Sequence, residues 1–364
     1  MAAVTEGALG GPHQGGRDVY VARLDRRGSV VWETHLGGPA GDSPLGISAG
    51  PDDSIYVAGF TEGALAGPNA GSADVWLARL DPDGAVVWQR QFGGELWDRG
   101  FDVTAFDGGA YVSGYTFGDI GDAPAHGAGD AFVARFDSEG NRDWVVQFGT
   151  DRIDWGQGSA LAPDGGVYVT GFTEGDLGGP NSGQRDAFVA RLGPDGTISW
   201  VRQFGSSGTD WTQGVDVDHE GNVYLAGLTD GQVGDADPAG DNDWLLAGYS
   251  PAGDLRFVAQ AGTAGVDSLF EVRVRGGEIV ATGSSTGTHE MAATGNRGKR
   301  DGVLVRFNGS GEVLEIVGLG TAESDDLTGL AVGYGGRILF SGHTSGGLSG
   351  ANRGRSDVLV GVAR

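Results

Sequence analysis

Cysteine is absent from this 364-residue chain, and lysine occurs once, at Lys299. The first absence removes disulfides, thiolate metal sites and thiol nucleophiles. No apolar run reaches the 18 or so residues that a membrane helix needs, and Met1 is not followed by the basic segment and apolar core of a signal peptide. Positive charge of every kind is scarce: 24 Lys and Arg face 49 Asp and Glu, for a net charge of -25. Nucleic acid and membrane insertion are therefore not expected, whereas cationic groups or metal ions suit the chain better. An acid excess of this size also fits a protein working in high salt.

The six histidines, His13, His35, His126, His219, His289 and His343, fall at places in the sequence that do not match one another. No His-x-x-x-His spacing and no nucleophile elbow is present. Gly-x-Gly runs occur, but no helical pattern follows them, so they read as turns and not as phosphate loops. Paired carboxylates are abundant and leave a polysaccharide-acting hydrolase or lyase as the alternative to a protein without enzymatic activity.

What the chain has in plenty is repetition. An Asp followed by an apolar strand occurs at positions 18, 74, 130, 186, 243, 301 and 357, at steps of 56, 56, 56, 57, 58 and 56 residues. One supersecondary unit copied in series gives this period, and it argues for a single domain over residues 1–364 with no internal boundary. The 72 glycines follow the same rhythm, at places where turns need positive φ or the room of a missing Cβ.

The copy from Asp130 to Asp186 shows the unit. Ala131 to Phe136 is an apolar run that ends in the turn Asp137-Ser138-Glu139-Gly140, with Asp first and Gly last. A second strand runs from Arg142 to Phe148, a third lies around Gly158 to Leu161, and a fourth spans Val167 to Phe172. Trp32, Trp88, Trp144 and Trp200 occupy one equivalent place, taken by Phe257 and Glu315 in later copies. The strands are apolar on both faces, as in Ser54 to Phe60, which a sheet with one wet face would not need. Four-stranded antiparallel sheets buried on both sides and repeated in tandem predict an all-β fold, a β-propeller.

The string Asp-x-aromatic-Val-Ala-Arg-Leu, followed by a Trp strand ending in Phe-Gly-Gly and then by Ile-Tyr-Val-Ala-Gly-Phe-Thr, resembles the β-propeller repeat family called SBBP. Asp186 to Arg191, Val167 to Thr173 and Gly205 to Asp210 carry the likeness in one stretch. The resemblance implies a seven-bladed propeller that is exported or attached to a bacterial or archaeal cell surface, with no activity to carry over. Asp81-x-x-Gly84-x-x-x-Trp88 is also similar to the docking motif of quinone-binding propellers, a likeness confined to that motif.

With strands named A to D from the axis outward, Asp154 precedes an A strand, Tyr168 lies in B, Phe132 in C and Trp144 in D. The C strand then occurs seven times and the others six, with one blade incomplete. Seven copies of 56 residues exceed the chain by about 28, which reads as a D, an A and most of a B strand missing ahead of Met1. A six-bladed ring is the rival.

Because antiparallel strands alternate, the D-to-A and B-to-C loops share one face, and loops on a rigid scaffold are where binding resides. Asp42, Asp98, Asp154, Asp210, Asp267 and Asp325 form one ring there, with Trp97, Trp155 and Trp211 beside it. Such an Asp can hold a tight loop by accepting backbone N–H groups. Alternatively, carboxylates and indoles together make an anionic, aromatic rim suited to sugar rings or cationic side chains, and so to a protein or glycan ligand. The B-to-C loops, such as Thr61 to Asp74, could offer oxygens to Ca²⁺. The nearest match to a calcium loop is Asp216-x-Asp218-x-Glu220-Gly221, which has Gly227 where the twelfth-position acid belongs. The expectation is thus a monomeric, extracellular or surface-displayed binding scaffold with no cofactor, no catalytic residue and no assigned metal.

Overall fold

The alternation of apolar strands and Gly turns folds into seven antiparallel sheets, in a computed structural model that describes residues 1–9, 11–121, 124–235, 237–288, 297–333, 336–348, 352 and 356–363. The fold is an all-β, seven-bladed propeller, and no helix occurs among the described residues. The second blade shows the plan: A is Asp42–Ala49, B Ile55–Thr61, C Asp74–Leu80 and D Val86–Phe92, hydrogen-bonded in that order. The third to sixth blades repeat it, starting at Asp98, Asp154, Asp210 and Asp267. In the second to sixth blades the B and C strands are buried along nearly their whole length and the D strands face solvent in part, so those sheets are covered on both sides but open at the outer edge, whereas Ile338–Thr344 and Asp357–Ala363 of the seventh stay partly exposed.

Two blades have three strands. The first consists of Ala2–Thr5, Asp18–Leu24 and Val30–Leu36, and the seventh of Asp325–Val332, Ile338–Thr344 and Asp357–Ala363. This corrects the strand count in one respect: B occurs seven times, because Ala2–Thr5 pairs with Asp18–Val21. The sixfold alternative is also excluded, since the strand at Asp18 has its own sheet.

Contacts divide the chain into two compact units, one of Met1–Val169, Thr173–Leu177 and Ala190–Ser199, the other of Thr170–Phe172, Gly178–Val189 and Trp200–Arg364. In the first unit, Tyr56, Leu77, Trp88, Val112, Phe132 and Phe136 pack between the second and third blades. In the second, Trp244, Leu246, Val272, Val303 and Phe307 do the same for the fifth and sixth.

Within each unit, neighbouring blades are joined at both ends of their strands. At the short-turn end, the D-strand indole of one blade donates to the C-to-D turn of the next: Trp32 to Pro82 O, Trp88 to Ser138 O and Trp144 to Pro194 O, at 2.9, 2.9 and 3.0 Å. In the second unit Trp200 reaches Pro251 O at 3.2 Å. The fourth residue of that turn must be Gly for two reasons. Gly140 sits at φ 79°, and a Cβ there would lie 2.7 Å from the Trp88 ring. The A strands adjoin one another as well, since a Cβ on Gly46 would come within 2.7 Å of Asp102 Cα, and one on Gly214 within 2.8 Å of Glu271 Cα.

Candidate functional site

Sheet register gathers the acidic residues at the long-loop end. The first A residue, the last B residue and the first C residue are partners across the sheet, giving the rows Asp42–Thr61–Asp74, Asp98–Thr116–Asp130 and Asp210–Thr229–Asp243. Asp267–Ser285–Asp301 and Asp325–Thr344–Asp357 continue the pattern. Each Asp of the expected ring is therefore the first residue of its strand, not a loop residue ahead of it.

All six are buried, at 0 or 1% exposure. One carboxylate oxygen of each accepts the amide four residues earlier, as with Gly38 N to Asp42 Oδ2 and Gly94 N to Asp98 Oδ2, both at 2.7 Å. Thr150, Ser206, Thr263 and Thr321 do the same for Asp154, Asp210, Asp267 and Asp325 and add their hydroxyls. Thr173 donates its hydroxyl to the other oxygen of Asp154. The amide of the same Asp crosses to the preceding blade: Asp98 N to Ala73 O and Asp154 N to Gly129 O at 2.8 Å, Asp267 N to Asn242 O at 3.0 Å. The ring thus folds the D-to-A loops and fastens blade to blade, in the manner of an Asx turn.

The C-strand Asp lies alongside. A Cβ on Gly93 would sit 2.6 Å from Asp98 Oδ2 and 2.8 Å from Asp74 Oδ1, which is why Gly follows Phe in the Phe-Gly-Gly motif. Burial raises the pKa of Asp42, Asp98, Asp154 and Asp210, and hydrogen bonds from nearby Thr hydroxyls and backbone amides work against that rise. In four blades a D-strand glutamine neutralises no charge but supplies a donor. Gln91, Gln147, Gln203 and Gln260 reach Asp74, Asp130, Asp186 and Asp243 at 2.9, 2.7, 3.0 and 2.7 Å.

The tryptophans are placed differently from the aspartates and from each other. Trp97 precedes Asp98 and is 36% exposed, beside Leu96 at 49%. Trp155 follows its Asp, is half-buried, and stacks on Tyr115 with centroids 4.3 Å apart and planes 8° from parallel. Phe117 meets the Trp155 ring edge-on, and its amide donates to Trp97 O at 3.0 Å. Between them lies Arg99, whose guanidinium sits 4.5 Å from the Phe60 centroid and 4.9 Å from that of Trp97. These residues form one aromatic and guanidinium cluster within the first unit. In the second unit Trp211 packs 6.0 Å from Phe172, over which Arg185 lies at 4.4 Å. Arg99, Phe101 and the buried Tyr115 belong to the first unit's cluster but were not among the expected site residues. Arg99 stands one repeat before Trp155, so the signal was a position where the copies differ.

The calcium-loop residues are engaged locally. Asp216 accepts Val274 N from the neighbouring A strand at 2.7 Å, and Asp218 caps its own turn by accepting Glu220 N and Asn222 N, both at 2.9 Å. Of the histidines, His289 lies outside the described residues. His13, Asp18 and His35, separate in sequence, come together, with one ligand atom from each lying within 4.8 Å of the others.

Comparison with known proteins agrees with this geometry. The chain is 25% identical over 373 residues to the regulatory protein FlaEY of Caulobacter vibrioides, a match covering 88% of this chain and 38% of that protein. The chain therefore spans about two fifths of that relative. Among solved structures, a putative 6-phosphogluconolactonase from Bacteroides uniformis aligns over 100% of this chain and 99% of its own at 12% identity and a TM-score of 0.50, a likeness of fold. BamB from Moraxella catarrhalis aligns over 93% and 95% at 16% identity, with a TM-score of 0.45. Residues 199–234 match the SBBP β-propeller repeat. The chain is a seven-bladed β-propeller, and one stretch of it is similar to that repeat.

Proposed function

We propose that the protein is a non-enzymatic binding scaffold, exported or displayed at the cell surface, that takes a protein or carbohydrate ligand on its long-loop face. The observation that carries this reading is the cluster of Phe60, Trp97, Arg99, Tyr115, Phe117 and Trp155, in which an exposed indole is held by a guanidinium against a rigid aromatic stack. Preorganised aromatic surface with an amphipathic edge suits sugar faces and protein side chains, because little conformational freedom remains to be lost on binding. In this reading Trp97 and Trp155 contact the ligand, and Trp211 offers a separate contact in its own unit. Asp42, Asp98, Asp154, Asp210, Asp267 and Asp325 hold the loops that frame it. The regulatory role in the name of the Caulobacter relative supports binding over turnover.

A glycan array and a pull-down from the surface fraction of the source cells would identify a ligand. Trp97→Ala, which removes exposed area and leaves the buried stack intact, is expected to weaken that ligand at least tenfold with an unchanged melting temperature. Equal affinity of the variant would place binding on another face, and recovery of the protein only from the cytoplasmic fraction would refute the surface location.

A further inference from the structure

The first blade departs from the others where its D strand meets the C-strand aspartate. His35 occupies the place of Gln91, Gln147 and Gln203, at steps of 56 residues, and His13 occupies that of Asn69 and Asn181. Where the other joints put an amide donor against the carboxylate, this one puts two imidazoles. His13 Nδ1 lies 2.9 Å and His35 Nε2 3.3 Å from Asp18 Oδ2. The Asp18 side chain is fully buried and that of His35 is 4% exposed, while His13 is 30% exposed and closes the outer side.

The tautomer of His35 is set by its other nitrogen. Nδ1 lies 3.0 Å from the carbonyl oxygen of Pro12, which can only accept, so Nδ1 carries the proton. In the neutral ring Nε2 then directs a lone pair toward Asp18 Oδ2, which also accepts the Gln14 amide at 2.8 Å, and the buried Nε2 has no hydrogen-bond partner. Two lone pairs facing each other out of water require a cation between them. A carbonyl that fixes the distal nitrogen of a histidine is also the usual support of a metal-bound imidazole.

We propose that His13 Nδ1, His35 Nε2 and one oxygen of Asp18 bind a single first-row transition ion of the zinc class. The donor chemistry is two neutral nitrogens and a carboxylate. With metal–ligand distances of about 2.0–2.1 Å, neighbouring donors in a tetrahedral zinc site stand roughly 3.3 Å apart. The spacings of 2.9 and 3.3 Å to Asp18 Oδ2 need little adjustment to meet that. Three protein ligands leave a fourth position, on the side where His13 reaches solvent. Hard ions such as Ca²⁺ would prefer an all-oxygen set, which this joint does not offer.

The test titrates Zn²⁺ alone into the full chain after chelation and dialysis, by calorimetry. One zinc per chain and a higher melting temperature are expected. His35→Gln restores the residue of the other blades, so its fold is supported by three examples in the same chain, and it should weaken zinc binding at least 100-fold with the metal-free melting temperature retained. His13→Asn changes only an exposed residue and should weaken binding as strongly, which decides the matter if His35→Gln folds poorly. Co²⁺ in place of zinc should give the visible bands of a four-coordinate site in the wild type and none in His35→Gln. Absence of stoichiometric zinc binding in the wild type, or equal binding in both variants, would overturn the proposal. The joint would then hold a protonated His35 paired with Asp18.

Discussion

Arg79 and Trp88 face each other across the C and D strands of the second blade, and both donate to one acceptor, the carbonyl oxygen of Ser138 in the next blade, at 3.0 and 2.9 Å. Arg23 and Trp32 repeat this on Pro82. In these two blades the Arg five residues after the C-strand Asp and the Trp of the D strand are thus two halves of one clamp.

Trp88→Ala removes a nearly buried indole and its hydrogen bond, and is expected to destabilise the protein by about 3–5 kcal/mol. Trp88→Phe keeps most of the apolar contact and loses the bond to Ser138, at a cost of roughly 1 kcal/mol from that loss alone. Urea unfolding followed by fluorescence and circular dichroism separates the two. Wild-type stability in Trp88→Phe would show that the carbonyl contact contributes nothing.

Two glycine substitutions divide backbone strain from steric conflict. Gly108→Ala, at φ 101° with nothing within 4 Å, should cost only the strain of positive φ, about 1–2 kcal/mol. Gly140→Ala, at φ 79° and 2.7 Å from the Trp88 ring, should cost more, by about 1–3 kcal/mol. Differential scanning calorimetry of the pair checks the order. A larger loss for Gly108→Ala would contradict the docking of the turn on the indole.

The buried ring makes a pH prediction of definite sign. Burial raises the folded-state pKa of Asp98 and Asp154, so between the ordinary carboxylate pKa and the raised one the folded chain binds more protons than the unfolded chain. Their contribution therefore falls as pH rises through that window: it is most favourable below the ordinary value and least favourable above the raised value. Asp52 and Asp326 are shifted downward and act in the opposite sense, so the readout is a difference. Asp154→Asn should lose less stability than the wild type as pH rises across the window, seen in melting temperatures taken at half-unit steps. Parallel curves for both proteins would refute the shift.

Net charge makes a further prediction. At -25 the folded chain repels itself, and salt screens that repulsion over a Debye length of about 10 Å at 0.1 M and 3 Å at 1 M. The melting temperature should rise by several degrees from low to molar sodium chloride, with the same trend in potassium chloride. A flat or falling curve would mean that self-repulsion does not limit the stability of the folded chain.

Much of this was readable from residue order. The step of 56 residues, the Asp and Gly of each turn, and apolar character on both faces of Val167 to Phe172 left no other arrangement than stacked four-stranded sheets. The strand Ala2–Thr5 was not readable, because four residues without a flanking turn signal carry too little pattern. The direction of the Asp ring was equally hidden, since a carboxylate ahead of a strand can point to solvent or to an amide and only burial decides. His13, Asp18 and His35 meet only because a D strand pairs with a C strand and the B-to-C loop folds back over both. The comparison that reveals them is with Gln91 and Asn69, one repeat on, and not with the other histidines.

The aspartate amide at one end of a joint is met by the last residue of the preceding B-to-C loop, as at Ala73, Gly129 and Asn242, so that end of the loop belongs to the frame, and four joints add an indole at the other end. Substitutions farther up such a loop leave that carbonyl bond in place. Seven near-copies of one sheet can in that way come to display seven unlike surfaces, and recognition can be rewritten while the frame stays as it is.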